Sequence, residues 1–131
     1  GAAEVARRAG TLPWVRLAGF VRDDALLALY RDAAILAYPS MEEGFGLPVL
    51  EAMAQGALPL VSRDPALAEL VDDPTLTVPA DDVAWEDAIA RWIDDGEGRA
   101  RQCERLMVAA RQRTWEAVAN AWTRQYTREP A

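Results

Sequence analysis

Glu43 and Glu51 stand with seven residues between them in 40-SMEEGFGLPVLEAMAQG-56, and the turn Gly44-Phe45-Gly46 and Pro48 fall in that interval. Glycines at 44 and 46 let the backbone approach a ligand with no Cβ in the way. Pro48 suits the start of a helix, where its missing N–H is not needed. A helix opening here would point the amides of Leu47, Val49 and Leu50 outward, where the dipole favours an anion such as a diphosphate. Glu51 falls in the first turn of that helix on this reading. A carboxylate is acceptor-only and takes two hydrogen bonds from a vicinal diol such as that of a ribose. Glu43, ahead of the turn, can grip a sugar hydroxyl from the other side. Each part also has a plainer role: Glu51 complementing the helix dipole, Glu42 and Glu43 as solvated loop acids. The combination is what points to a sugar-bearing phosphate.

The elements that must position this loop alternate between strand and helix. Residues 3-AEVARRA-9 read as the end of a helix closed by Gly10, and 14-WVRLA-18 as a short strand followed by a turn at Gly19. Asp23 or Asp24 can cap the next helix, 24-DALLALYRDA-33, whose Leu26, Leu27 and Tyr30 make an apolar stripe. The run 34-AILAY-38 is a buried strand leading into the acidic loop, and the helix 48-PVLEAMAQ-55 ends at Gly56. Then come the strand 58-LPLVS-62, a helix in 65-PALAELV-71, the strand 75-TLTV-78 and the helix 83-VAWEDAIARWI-93, with Trp85, Ile89, Trp92 and Ile93 on one face. Gly96 and Gly98 break the chain before two helical stretches at roughly 99–113 and 115–128. Trp115, Val118, Trp122 and Tyr126 share one stripe of the last, as core-packing aromatics do. Strands alternating with helices over short loops imply βαβ units and a doubly wound α/β architecture with a parallel sheet. In such sheets ligands bind at the carboxyl ends of the strands, where the loop after Tyr38 lies.

Composition removes several alternatives. The 131 residues, 51% hydrophobic and 27% charged, suit one globular domain. There is no histidine, and all 14 basic residues are arginine, so imidazole bases, P-loop lysines and Schiff-base lysines are excluded within this chain. A net charge of −7 argues against nucleic acid or an anionic lipid surface as partner. The single cysteine, Cys103, and the lack of a long apolar run or signal-peptide pattern point to the cytoplasm. Asp72-Asp73 and Asp81-Asp82 read as solvated loop charges and turn formers.

The segment 40-SMEEGFGLPVLEAMAQG-56 resembles the Glu-x7-Glu signature of retaining GT-B glycosyltransferases of the family 4, or group 1, type. The first glutamate of the signature matches Glu43 and the second Glu51. Similar text also surrounds 15-VRLAGFV-21, 30-YRDAAILAYPS-40, 69-ELVDD-73, 77-TVPADD-82 and 114-TWEAVANAW-122, so the likeness covers nearly the whole chain. It implies an α/β, Rossmann-like parallel sheet, the C-terminal donor-binding portion of a GT-B enzyme, incomplete and followed by C-terminal helices. By that resemblance Glu43 is the catalytic residue and holds the donor sugar; Gly44, Phe45, Gly46, Leu47 and Val49 line sugar and phosphate, and Glu51 binds the ribose. Val21 would meet a base edge. Asp23 either accepts from N1–H and the 2-amino group of guanine or is simply a helix cap. The donor would be a GDP- or UDP-sugar, with no cofactor and no metal.

The resemblance also implies a deficit. Residues 1–113 would be a nucleotide-sugar-binding domain lacking its first two strands and a phosphate-gripping Arg/Lys pair, and 114–131 a helix that crosses to an absent N-terminal domain. In the order 3-2-1-4-5-6, a strand at Val15–Ala18 loses its neighbour and Ile35–Tyr38 its inner partner. An open parallel edge invites pairing between chains, closure by setting these two strands side by side, or survival as a cut-down remnant. The expected activity is transfer of a hexose from a nucleoside-diphosphate sugar, with the isolated chain inactive. The alternatives are a non-catalytic nucleotide-binding or oligomerising remnant, associating through the sheet edge or the last helix, and a generic flavodoxin-like domain.

Overall fold

The computed structural model describes residues 2–114 together with 116, 117, 119, 120 and 123. Three parallel strands form its sheet: β1 (Ile35–Tyr38), β2 (Leu58–Ser62) and β3 (Thr77–Val78), in the order β1-β2-β3. Ile35 lies opposite Leu58 and Tyr38 opposite Val61, while Val61 also pairs with Thr77. β2 is buried at all five positions, as a continuous apolar run covered on both faces requires. α1 (Ala2–Ala9) precedes the sheet, and α2 (Asp23–Asp32) leads into β1. Then follow α3 (Leu47–Gln55), α4 (Pro65–Val71), α5 (Asp82–Asp94) and α6 (Gly96–Gln112). The result is an α/β, Rossmann-like open sheet.

Val49 and Met53 of α3, Leu58, Leu60 and Val61 of β2, Leu67, Leu70 and Val71 of α4, Leu76, Val78, Trp92 and Leu106 form one core. On the far side of α3, Ala52 and Ala57 pack with Tyr30 of α2. Of the apolar face read on α5, Trp92 is buried and Trp85 half-buried, whereas Ile89 and Ile93 are exposed. Trp92 donates its indole N–H to the Thr75 carbonyl at 3.4 Å.

Several local expectations are corrected. Val15–Ala18 is not a strand: the segment runs irregularly to Arg22, with Trp14, Leu17 and Phe20 exposed. A strand needs a neighbour to satisfy its backbone, and among the described residues this segment has none. It does not close onto β1, whose outer edge therefore stays open and whose residues are no more than half-buried. Neither Asp23 nor Asp24 caps α2. The cap position is Arg22, without a side-chain cap bond, while Asp24 accepts from the Ala25 N–H and pairs with Arg22 at 2.9 Å. The strand read at 75–78 shrinks to Thr77–Val78. Asp73 draws the Thr75 N–H and hydroxyl to itself and winds Pro74–Leu76 into a 3-10 turn.

Asp73 is also less solvated than its loop position suggests. It accepts from the Gln102 amide at 2.8 Å and lies 3.7 Å from the Arg105 guanidinium. Burial pushes its carboxyl up, but the Thr75, Gln102 and Arg105 contacts outweigh that and hold it below the ordinary value. Gly96 and Gly98 begin α6 rather than break the chain before it. The Gly98 N–H meets the Asp95 cap at 2.8 Å, and a Cβ at Gly98 would strike that carboxylate. Trp115, Val118, Trp122 and Tyr126, on which the crossing helix rests, lie outside the described residues. Among the described residues no helix is long and apolar enough to cross a membrane.

Candidate functional site

The acidic loop leaves the carboxyl end of β1 and is tied to the loop that follows β2. The Ser62 hydroxyl, on a residue that is 5% exposed, donates to the Ser40 carbonyl. The Glu43 N–H donates to Asp64 Oδ2 at 3.3 Å, and Asp64 Oδ1 accepts from the Ala66 and Leu67 amides, capping α4. One carboxylate thus anchors the glutamate loop and starts the next helix.

Gly46 sets the opening of α3. Its φ is +76°, and a Cβ there would sit 2.6 Å from Leu67 Cδ2 and 3.3 Å from Leu70 Cδ2. Only glycine supplies both that bend and that clearance. The helix begins at Leu47, so Pro48 is its second residue and Glu51 its fifth, which corrects the expectation of Glu51 in the first turn. Leu47 and Glu51 consequently lie four apart, on one face. The amides divide. Val49 and Leu50 donate to the Gly46 carbonyl at 3.0 and 3.1 Å and are not free, contrary to the reading above. Phe45, Gly46 and Leu47 keep N–H groups without a protein acceptor among the described residues. α4, α5 and α6 each fill their first turn with an aspartate, Asp64, Asp81 and Asp95 in turn, whereas α3 has Gly46 and no side-chain cap.

Each of the two glutamates has a tyrosine in its neighbourhood. The Tyr38 hydroxyl donates to Glu43 Oε1 at 2.5 Å. That hydrogen bond, followed by burial, pushes the phenol from 10.0 up to about 12, because ionisation would put two negative charges together. Burial, and then the Glu51 charge, raises Tyr30, and Tyr30 in turn acts on Tyr38. Tyr38 is thus bonded to Glu43, while Tyr30, packed against Ala52 and Ala57 of the α3 region, feels the charge of Glu51. Glu43 is half-buried, Gly44, Phe45, Leu47 and Glu51 are exposed, and Gly46 and Val49 are buried. Val21 is half-buried and Asp23 exposed at the start of α2; among the described residues neither bonds to the glycine turn.

Sequence reasoning missed Tyr38, Tyr30, Asp64 and Arg113. Arg113 reaches back to the Glu69 carbonyl at 3.2 Å and rims a recess of about 110 Å³ shared with Gly44, Phe45 and Leu70. Tyr38 was within reach of the sequence as the polar end of an apolar strand, five residues ahead of Glu43. Arg113 carried no local signal, because its approach depends on the packing of α6. Chemically, the glycine turn and the start of α3 offer bare amides for an anion and two carboxylates as acceptors, while Arg113 rims the separate recess beside Gly44 and Phe45.

A Rossmann-like sheet with such a loop at a strand's carboxyl end puts the chain among the α/β proteins whose ligands sit at that end of the sheet. Comparison narrows the class. Residues 4–113 match the family described as "Glycosyl transferases group 1", and the chain belongs to that family. It is 38% identical over 104 residues to "O-antigen chain mannosyltransferase B" of Escherichia coli, covering 79% of this chain and 27% of that protein. It is likewise 38% identical over 97 residues to "D-inositol 3-phosphate glycosyltransferase" of Corynebacterium glutamicum (strain R), covering 72% of this chain and 23% of the relative. The chain thus spans about a quarter of the length of these curated relatives.

Proposed function

We propose that this chain is the donor-binding part of a retaining, family 4 glycosyltransferase that transfers a hexose from a nucleoside-diphosphate sugar. The observation that carries the reading is the unsealed N-terminus of α3, with its free amides between Glu43 and Glu51. The diphosphate lies against the Phe45, Gly46 and Leu47 N–H groups, where amide dipoles and the helix end favour negative charge. Val49 lines this end by packing rather than by donating. Glu51, one turn along from Leu47, accepts from the ribose diol. Glu43 accepts from a donor-sugar hydroxyl with its position fixed by Tyr38, and Gly44 leaves room for the sugar to approach. Val21 and Asp23 face the base, and with the start of α2 free of a carboxylate cap, Asp23 is available to guanine. No metal enters this scheme.

The hexose leaves as the diphosphate gains charge, and stabilising that charge is a main term in such a step. Amides supply part of it. The chain alone transfers little or no sugar, and the full reaction needs a further domain or a second chain to bring the acceptor and more cationic groups. A partner is accommodated along the open edge of β1 or at the C-terminal helix. The residues 1–113 act as the binding unit, with 114–131 reaching toward the partner.

Calorimetry with GDP, UDP and ADP tests the reading. Binding of at least one nucleotide is expected, with Glu51→Ala weakening it about tenfold, as the loss of a charged hydrogen-bond acceptor would. Tighter binding of GDP, lost in Asp23→Ala, assigns the base. Absence of binding by all three leaves an oligomerising remnant of the fold as the better account.

A further inference from the structure

Tyr38 ends an otherwise aliphatic strand, Ile35-Leu36-Ala37-Tyr38. Its ring packs against the main core, while its hydroxyl leaves that core and donates to Glu43 Oε1 at 2.5 Å. Phenylalanine would fill the same space, so packing alone does not call for the oxygen. We propose that Tyr38 reads the donor sugar itself: its phenol oxygen and Glu43 Oε2 accept from two neighbouring hydroxyls of the hexose. The assignment rests on the glycosyl-transfer reading and adds to it a residue that selects the sugar.

Hydrogen-bond capacity singles out these two atoms. A phenol hydroxyl has one proton to give and can also accept, and a carboxylate has about four lone-pair positions. Tyr38 spends its proton on Glu43, and among the described residues nothing donates to its oxygen. Glu43 Oε1 receives Tyr38, and Oε2 receives nothing from the described residues. The bond to Glu43, ahead of burial, pushes the phenol up to about 12, so the oxygen remains a neutral hydroxyl with its proton turned toward Glu43. The free positions lie one hydrogen bond and one carboxyl group apart, the scale of two adjoining ring hydroxyls. Acceptors side by side call for donors side by side. A vicinal diol presents them, and a diphosphate, which only accepts, does not.

The pair is also held in place. The core seats the tyrosine ring. The Glu43 N–H is fastened to Asp64 Oδ2 at 3.3 Å, and Asp64 is fixed in turn by the Ala66 and Leu67 amides. Both Tyr38 and Glu43 are half-buried, so bonds made there are sheltered while a ligand can still reach them. Next to Glu43 the loop is open, since a Cβ at Gly44 would meet nothing within 4 Å. Acceptors fixed in advance spare a ligand the cost of ordering them, and a site built to bond a hydroxyl rejects the analogue that lacks it.

The test is calorimetry of the 131-residue chain with GDP, GDP-mannose, UDP and UDP-glucose, and with singly deoxygenated forms of whichever sugar nucleotide binds tighter. Wild type is expected to hold the sugar nucleotide more tightly than the bare nucleotide. Tyr38→Phe leaves nucleotide affinity unchanged and lowers sugar-nucleotide affinity about fivefold. One deoxygenated form loses its sensitivity to Tyr38→Phe, and a form deoxygenated at an adjoining ring carbon loses its sensitivity to Glu43→Ala. Equal weakening of nucleotide and sugar nucleotide by Tyr38→Phe overturns the proposal and makes the hydroxyl a strut for the loop. Unchanged affinity for both does the same, as do deoxygenated forms that all stay sensitive to Tyr38→Phe. Should that variant not fold, wild type with the deoxygenated series decides: weaker binding on removal of either of two adjoining hydroxyls supports the pair, and indifference to every removal ends it. Nucleotide binding with no gain from the sugar removes this inference and leaves the phosphate and ribose parts of the donor reading; binding of neither removes both.

Discussion

At the scale of single residues, Gly46 and Tyr38 decide what the acidic loop can do. Gly46 combines a left-handed backbone with contact against Leu67 and Leu70, so its replacement is felt both as strain and as a clash. Gly46→Ala is expected to lower stability by about 1–3 kcal/mol, seen as a lower Tm in thermal unfolding, and to weaken nucleotide binding by more than the stability loss explains. Tyr38 acts on Glu43 through its hydroxyl, and a phenol held at about 12 keeps that donor protonated throughout the physiological range. The Glu-turn-Glu spacing was legible from residue order alone. The tyrosines were not, because their approach to the glutamates depends on how β1 and α2 pack against α3.

At the scale of elements, Asp73 is the joint between the 3-10 turn before β3 and helix α6, through Thr75, Gln102 and Arg105. Asp73→Ala removes a cap, the acceptor of the Gln102 amide and the charge facing Arg105, at an expected cost of about 2 kcal/mol measured by urea unfolding. Its carboxyl is held below 3.8. The stabilisation is therefore complete above that value and is lost as acid takes the pH down through the folded-state pKa. The wild type should lose more stability on acidification than Asp73→Asn.

Strand and helix alternation was readable for β1, β2 and α3 to α6, because apolar runs and caps there agree with the fold. It failed at Val15–Ala18, whose alternating side chains suit a strand but whose backbone finds no neighbour to pair with. It failed again at 75–76, where the Asp73 cap overrides β propensity, and at Val49 and Leu50, whose amides bend back to the Gly46 carbonyl. Cap identity was not legible: the sequence reading takes Asp81 as a solvated turn former although it caps α5, passes over Asp64, and puts at Asp23 or Asp24 a cap position that falls on Arg22, since two adjacent acids after a turn do not say which residue starts the helix.

At the scale of the molecule, the core is concentrated under β2, and order thins toward the N-terminal side. Between Arg16 and Val21 no backbone hydrogen bond is formed among the described residues, and Trp14, Leu17 and Phe20 expose 76%, 59% and 94% of their surface. Locally open backbone of this kind is cut first by proteases. Trypsin should therefore cleave after Arg16 and Arg22 well before any arginine of α6, as mass spectrometry of a timed digest would record. First cuts within α6 would contradict this ranking of local stability.

Three of the four helices from α3 onward stop their own positive ends with aspartates, and α3 does not. In a molecule with an excess of seven negative charges, hospitality to an anion is a local exception, confined to a doorway one glycine wide. A side chain grown at that position would be driven inward against Leu67 and Leu70, so the doorway would be lost by the warping of its frame and not by being filled.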